Sequence, residues 1–330
     1  MNGYDRIMAA IQGNTVDRTP VWPFVMMFAA KHSGTPYGKF ASDHRAMAES
    51  LIRTAEDFDL DAITVDSDAY REASAVGAEL EFPEDGLPAI RRYAILDKEA
   101  FQFPYLRIED CPRLVDKIEG VRAVKDHFGK EKAVCGWIEA PLQCAGTLYS
   151  MDSYMEDIFE EPEFVSDLLD YVTELDIRFA KEQVRAGADI LGIGDAMASL
   201  VSPNAYEQYC LPHTKKLVQE IRKDCDVKLK YHICGNSTHL LKYAEEIGFD
   251  IVNIDHPVDI HNAIDMVHGN ICLKGNLNPV NLMRNTPQQV QEEAKQLLAV
   301  GYPKFILSPG CEVGRDTPAE NLHAFVDSAK

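Results

Sequence analysis

Eight short apolar runs rich in Val and Ile recur along the chain, at residues 21–26, 62–65, 133–138, 189–193, 227–233, 250–254, 271–274 and 305–307, most of them ending in polar residues or glycine. Between most of them lie stretches with helical period, at 43–58, 111–128, 162–186, 203–223, 238–247, 287–300 and 318–329. Near-continuous apolar strands alternating with helices predict a parallel α/β sheet covered on its outer face. A count of eight favours a closed (β/α)8 TIM barrel over an open doubly wound sheet. The open sheet would need a glycine-rich turn after an early strand, and the only candidate, Gly192-Ile193-Gly194, lacks the third glycine and lies in mid-chain. Helix starts are marked by Ser202-Pro203, Asn278-Pro279, Thr286-Pro287 and Thr317-Pro318, each a capping side chain before a proline suited to the first helical position. No low-complexity linker divides the chain, so residues 1–330 read as a single domain, with 67–104 an excursion between the second and third strands.

The 53 acidic and 33 basic residues give a formal charge of -20, which argues against nucleic acid or an anionic membrane surface as a partner. No uncharged apolar run approaches the ~20 residues needed to span a bilayer. Residues 1–12 lack the basic start and apolar core of a secretory signal, so a cytoplasmic location is expected. The eight cysteines are too sparse for a disulfide scaffold and read as reduced thiols.

In a barrel the chemistry gathers where strands end. Strand ends here carry Asp66 and Asp68, Glu139, Asp195, His232 and Cys234, Asp255 and His256, Asn276, and Cys311 with Glu312. His232, Cys234 and Cys311 are the candidate metal ligands. A His and a Cys two apart project to the same side of an extended strand end, and two thiolates with one imidazole suit Zn2+. Three protein ligands leave the open position of a catalytic site. Asp255, Glu312 and His239 are candidates for a fourth ligand, with Asp255 favoured because it ends the next strand. Thiolate ligation suits a platform that keeps an incoming sulfur nucleophilic better than one that activates water, so alkyl transfer to a thiol is the expected reaction. Asp68 and Asp195 are expected to orient the reacting groups, and Glu139 and Asn276 to contact substrate, each against a plain strand-end or turn role. Met26, Met27 and Phe28 read as core, His256 and His261 as loop residues, and Cys111, Cys135, Cys144, Cys210, Cys225 and Cys272 have no assigned function.

The segments His232-Ile233-Cys234-Gly235-Asn236, Leu273-Lys274-Gly275-Asn276-Leu277-Asn278-Pro279, and Leu307-Ser308-Pro309-Gly310-Cys311 with Thr317-Pro318-Ala319-Glu320-Asn321-Leu322 resemble motifs of the uroporphyrinogen decarboxylase superfamily. Within it they are similar to the methyltransferase branch, which includes methylcobamide:coenzyme M methyltransferases, and the likeness runs from Arg18-Thr19-Pro20-Val21-Trp22 onward. The resemblance implies a (β/α)8 barrel and a catalytic zinc at His232, Cys234 and Cys311. It also implies methyl transfer between a corrinoid (methylcobamide) and a small methyl acceptor or donor, a thiol such as coenzyme M among them. Demethylases that pass methyl groups from ethers to a corrinoid belong to the same branch. This chain has no Asp-x-His-x-x-Gly corrinoid segment, so the corrinoid is expected on a separate partner protein or free. Related barrels often pair, which makes a homodimer an open expectation. Uroporphyrinogen decarboxylation is the rival activity: Asp68 matches the decarboxylase's catalytic Asp, but that enzyme's arginine-rich segment is replaced by Phe24-Val25-Met26-Met27-Phe28-Ala29-Ala30-Lys31, its tyrosine by Thr147, and its histidine near the last strand by Cys311. A second rival is a zinc-bearing scaffold for a corrinoid complex.

Overall fold

A computed structural model describes residues 1–330. Nine strands follow one another: β1 (Ala62–Thr64), β2 (Glu79–Glu81), β3 (Ala89–Arg92), β4 (Ala133–Glu139), β5 (Ile190–Gly194), β6 (Lys228–His232), β7 (Ile251–Asn253), β8 (Cys272–Leu277) and β9 (Phe305–Pro309). Seven of them form one parallel sheet in the order β1-β4-β5-β6-β7-β8-β9, so each strand lies beside its successor in that series. Helices cross between these strands, Pro112–Phe128 and Pro162–Arg185 being the longest. The exception to this rhythm is the expected excursion at 67–104. It holds a short helix, Arg71–Val76, and an antiparallel hairpin of β2 and β3 outside the main sheet.

The first expected strand, 21–26, does not form. Val21 and Phe24 make single parallel bridges to Leu307 and Glu312. Trp22 N–H donates to Leu307 O at 3.0 Å, Leu307 N–H to Pro20 O at 2.9 Å, and Asp61 N–H to Val21 O at 3.0 Å. The segment therefore lies between β9 and the start of β1. Pro20 and Pro23 carry no N–H, so a ladder cannot extend through it. Its anchor is Asp61, 2% exposed, which accepts from Val21 N at 2.7 Å, from Arg18 Nη1 at 2.8 Å and from Arg6 Nη1.

Two expected helices are also broken. Residues 203–223 divide into Pro203–Ala205, a wide turn at Tyr206–Cys210 and a helix from Leu211 to Asp224. Pro212 explains the break, because it lacks the N–H that a regular helix would need there. Residues 238–247 are a tight helix, Thr238–Tyr243, passing into Ala244–Ile247. Three of the four proline starts hold: Ser202 caps Ala205 N–H, Asn278 caps Val280 N–H, and Thr286 forms a reciprocal box with Gln289. At the fourth, Pro318 is itself the cap residue and the buried Thr317 hydroxyl has no partner. No helix is long and apolar enough to cross a membrane.

The interior is layered. Ile7, Ala10 and Ile11 of the first helix pack with Trp22 and with Ala62, Ala133, Cys135, Ile190, Ile251, Cys272 and Ile306 from the early parts of the strands. That apolar floor accounts for Cys135 and Cys272. Above it lie two lysines with no exposure, Lys230 and Lys274. Lys274 Nζ donates to Asn253 Oδ1 and Ser308 Oγ, both at 2.7 Å. Lys230 Nζ has no hydrogen-bond partner and sits 4.5 Å from the Trp22 ring centre and 4.6 Å from that of Trp137. Burial pushes both ammonium pKa values down. The strand ends above these lysines hold the site.

Candidate active site

His232 is the last residue of β6, Cys234 stands two residues on, and Cys311 lies two residues beyond β9. The fold brings the three together across the sheet. Cys234 Sγ is 3.3 Å from His232 Nε2, Cys311 Sγ is 3.7 Å from the same nitrogen, and the two sulfurs are 3.6 Å apart. Tetrahedral zinc bonds of ~2.3 Å to sulfur and ~2.0 Å to nitrogen require edges of about 3.8 Å between sulfurs and about 3.6 Å from sulfur to nitrogen. The donor triangle matches those edges to within about 0.3 Å. No other group of three or more His, Cys, Asp or Glu side chains in the chain converges in this way.

The surroundings orient these donors. His232 Nδ1 faces Asn253 O at 3.4 Å, which leaves Nε2 for a metal. Asn253 Nδ2 donates to Gly310 O at 3.0 Å, tying β7 to the Cys311 loop. Gly310 must lack a side chain, since a Cβ there would lie 2.5 Å from His256 N and 2.6 Å from Asp255 Oδ1. The two thiol groups lie within hydrogen-bonding distance of each other. The Cys311 pKa is pushed down to about 4 by the hydrogen bond from Cys234 and by His232, and that of Cys234 is driven up by the same bond.

Beside the triangle is a cavity of about 200 Å³, walled by Phe24 and Trp137 and by five acidic residues, Asp66, Asp68, Glu139, Asp195 and Glu312. The two rings stack at 5.1 Å. Gly192 and Gly194 make room for the indole: a Cβ at Gly192 would come within 2.4 Å of Trp137, and one at Gly194 within 2.7 Å of Trp137 and 3.0 Å of Glu139 Oε2. Asp68 is bound by Arg113 (Nη2 to Oδ2, 2.7 Å) and by Ser67 Oγ at 2.6 Å, and the arginine is the chief influence that holds its pKa down at about 2 despite burial. Asp66 pairs with Lys117.

The other three acids have no Lys or Arg partner. Asp195 Oδ2 accepts from Tyr231 OH at 2.6 Å while Oδ1 has no partner, and burial raises its pKa to about 7. Glu139 accepts from Trp137 Nε1 at 3.0 Å, and burial with the nearby Glu72 pushes its pKa well up. Glu312 accepts from Met27 N–H at 2.8 Å, and burial raises its pKa to about 7.

Of the residues singled out from sequence, Asp68, Glu139, Asp195, His232, Cys234 and Cys311 thus share one cavity. Asp255 does not join the donor group. Its Oδ2 accepts from Gly235 N and its Oδ1 from His256 N, both at 2.7 Å, so it ties the backbone that follows Cys234 to the turn after β7. His239 also stays out of the donor group. Asn276 does not line the cavity. Its buried amide donates to Val258 O at 2.7 Å and to Asp255 O at 3.3 Å, the loop-holding role. Sequence reading missed Trp137, Phe24, Lys230 and Lys274. A two-residue step back from Glu139 reaches Trp137, and the same step back from His232 and Asn276 reaches the two lysines; that alternation was the available signal.

Three comparisons bear on this arrangement. A family model described as uroporphyrinogen decarboxylase (URO-D) matches residues 2–330. A methylcobamide:CoM methyltransferase of Methanosarcina acetivorans is 30% identical over 99% of this chain and 97% of its own length. A uroporphyrinogen decarboxylase of Geobacter metallireducens is 27% identical over 98% of this chain and 97% of its own. A solved structure described as a methyltransferase from Methanosarcina mazei superposes over 100% of this chain and 98% of its own with a TM-score of 0.90, at 24% identity, and supports the fold.

Proposed function

This chain belongs to the uroporphyrinogen decarboxylase family, and from that membership we propose that it is a zinc-dependent methyltransferase working between a corrinoid on a separate protein and a small thiol. The observation that carries the reading is the donor triangle of His232, Cys234 and Cys311, with edges of 3.3, 3.6 and 3.7 Å. A relative named as a methylcobamide:CoM methyltransferase supports the choice of reaction. Zinc bound by these three residues would lower the pKa of a thiol and keep it nucleophilic at neutral pH.

The chain's own residues do the rest. Asn253 O fixes the His232 tautomer. Asp68, kept ionised by Arg113, is a fixed negative charge on the cavity wall. Asp195 and Glu139 belong to the lining of the cavity that would take the substrate body, and Phe24 and Trp137 form its apolar wall. We read residues 1–330 as one domain whose sheet closes into a (β/α)8 barrel through residues 20–24, with the corrinoid protein docking over the open mouth.

The decarboxylase reading fits less well. A cavity of about 200 Å³ with five acids and no Lys or Arg on its wall is small and electrostatically unfavourable for a porphyrinogen bearing many carboxylates. The test is turnover. Zinc-loaded protein given methylcobalamin and a thiol is expected to form the methyl thioether as the methyl–cobalt absorbance falls, and to release no carbon dioxide from uroporphyrinogen. Carbon dioxide release without any methyl transfer would reverse the assignment.

A further inference from the structure

Resting on the zinc reading above, we propose that Lys274 is a positioning residue for the metal site, setting two of its three ligands from below through Asn253 and Ser308. Lys274 lies on β8, a strand that contributes no ligand, and has no exposure. Its Nζ donates to Asn253 Oδ1 and to Ser308 Oγ, both at 2.7 Å, and both acceptors are neutral and buried. A lysine held in the interior with neutral partners only costs stability compared with an apolar side chain of its size. What it supplies is direction.

Asn253 connects the lysine to both ligands. Its backbone O faces His232 Nδ1 at 3.4 Å, and its Nδ2 donates to Gly310 O at 3.0 Å, next to Cys311. With Oδ1 held by Lys274, Nδ2 is turned toward that carbonyl, and toward Ile254 O and Lys274 O at 3.4 Å. Ser308 makes the second connection. Its Oγ accepts from Lys274 and donates to Pro309 O at 2.8 Å, within the last two residues of β9 before the Cys311 turn. One buried amine therefore holds the approach to Cys311 from β7 and from β9, and the residue that sets the His232 tautomer. Removing it leaves Asn253 Oδ1 buried without a donor, so the amide must shift to find one and the Gly310 contact shifts with it. Ligands that are no longer held in place must be ordered when the metal binds, which weakens binding. Lys230 is the contrast: it is equally buried, on the strand that ends in His232, yet it has no hydrogen-bond partner.

The experiment measures metal affinity and needs no turnover: zinc-loaded protein is titrated with a chromophoric chelator. Lys274→Met keeps the length of the side chain and removes both donations. Its zinc dissociation constant is expected to rise by about 10- to 100-fold, and the visible absorption of the Co2+-loaded protein, which reads the geometry of the donor atoms, is expected to change. Lys230→Met removes an equally buried lysine that makes no hydrogen bond, and should leave both readings as in the parent. Asn253→Ala should weaken zinc binding by a similar factor. The double variant of Lys274→Met and Asn253→Ala should fall well short of the product of the two single effects, because both changes break one chain of contacts. Unchanged zinc affinity in folded Lys274→Met overturns the proposal, as does unchanged affinity in Asn253→Ala should Lys274→Met not fold. An equal loss in Lys230→Met, or single effects that multiply independently, also overturns it while leaving the parent's zinc site intact. A parent that takes up no zinc overturns the metal reading and this proposal together.

Discussion

Cys311→Ser is expected to lower methyl transfer on the order of 10³-fold or more, which corresponds to ~4 kcal/mol of transition-state stabilisation. On the proposed zinc site Cys311 would supply one of three donor atoms, and its Sγ lies 3.6 Å from Cys234 Sγ and 3.7 Å from His232 Nε2. Serine at this position offers a neutral hydroxyl in place of a thiolate, a harder and far weaker zinc ligand. The residue is only partly buried, so thermal unfolding of the metal-free protein should move little. Cys234→Ser should behave the same way. Cys135→Ser provides the contrast, because Cys135 lies in the apolar floor with no exposure. That variant should unfold earlier yet bind zinc and turn over normally once folded. Steady-state kinetics and thermal melts on the three proteins separate the roles, and a Cys311→Ser enzyme with undiminished kcat/KM would remove Cys311 from the site.

Asp61→Ala should be the most destabilising single change where residues 20–24 run between β9 and β1, by about 3–5 kcal/mol. Asp61 is 2% exposed and faces two guanidinium groups, Arg6 and Arg18, besides the Val21 N–H. Alanine leaves Arg6 to Asp17 alone, at 2.7 Å, and Arg18 to the more distant Asp59 at 3.8 Å, and strands a backbone donor. The loss reaches the site. Residues 20–24 tie β9 to the start of β1, and Phe24 walls the cavity. Chemical denaturation is the measurement, and a variant within 1 kcal/mol of the parent, roughly the range of a surface substitution, would show that this segment depends on other contacts.

The strand-helix alternation is legible in the chain because buried parallel strands must be almost wholly apolar, and seven of the eight expected runs are strands of the main sheet. The eighth failed for a local reason. Residues 21–26 carry strand-like hydrophobicity, yet Pro20 and Pro23 remove the N–H groups that a ladder uses. Thr317 failed for a different local reason: a hydroxyl before proline is a cap only if the backbone turns toward it, and here Pro318 takes the cap position.

At the site, position along the chain was enough to bring His232, Cys234 and Cys311 together, because all three follow the ends of strands in one parallel sheet. It could not tell a side chain facing the cavity from one facing the backbone. Asp255 and Asn276 also stand at strand ends, but the former accepts from Gly235 and His256 N–H groups and the latter donates to Val258 and Asp255 carbonyls. Short polar side chains beside irregular loops are used by the nearest unpaired backbone groups, and that competition is settled by three-dimensional proximity. The lysine pair was hidden for another reason: Lys230 inside the 227–233 run and Lys274 at the end of the 271–274 run carry the charge of solvent-facing residues, yet both are wholly buried.

The central claim is that His232, Cys234 and Cys311 hold one zinc ion with a position left for a thiol. Elemental analysis of protein purified without chelator, joined to zinc-edge X-ray absorption, measures it most directly. The expected result is about one zinc per chain with two sulfurs at ~2.3 Å and an imidazole nitrogen at ~2.0 Å, gaining a third sulfur when thiol is added. Protein that contains no zinc and takes none up, or a zinc shell without sulfur, would contradict the account.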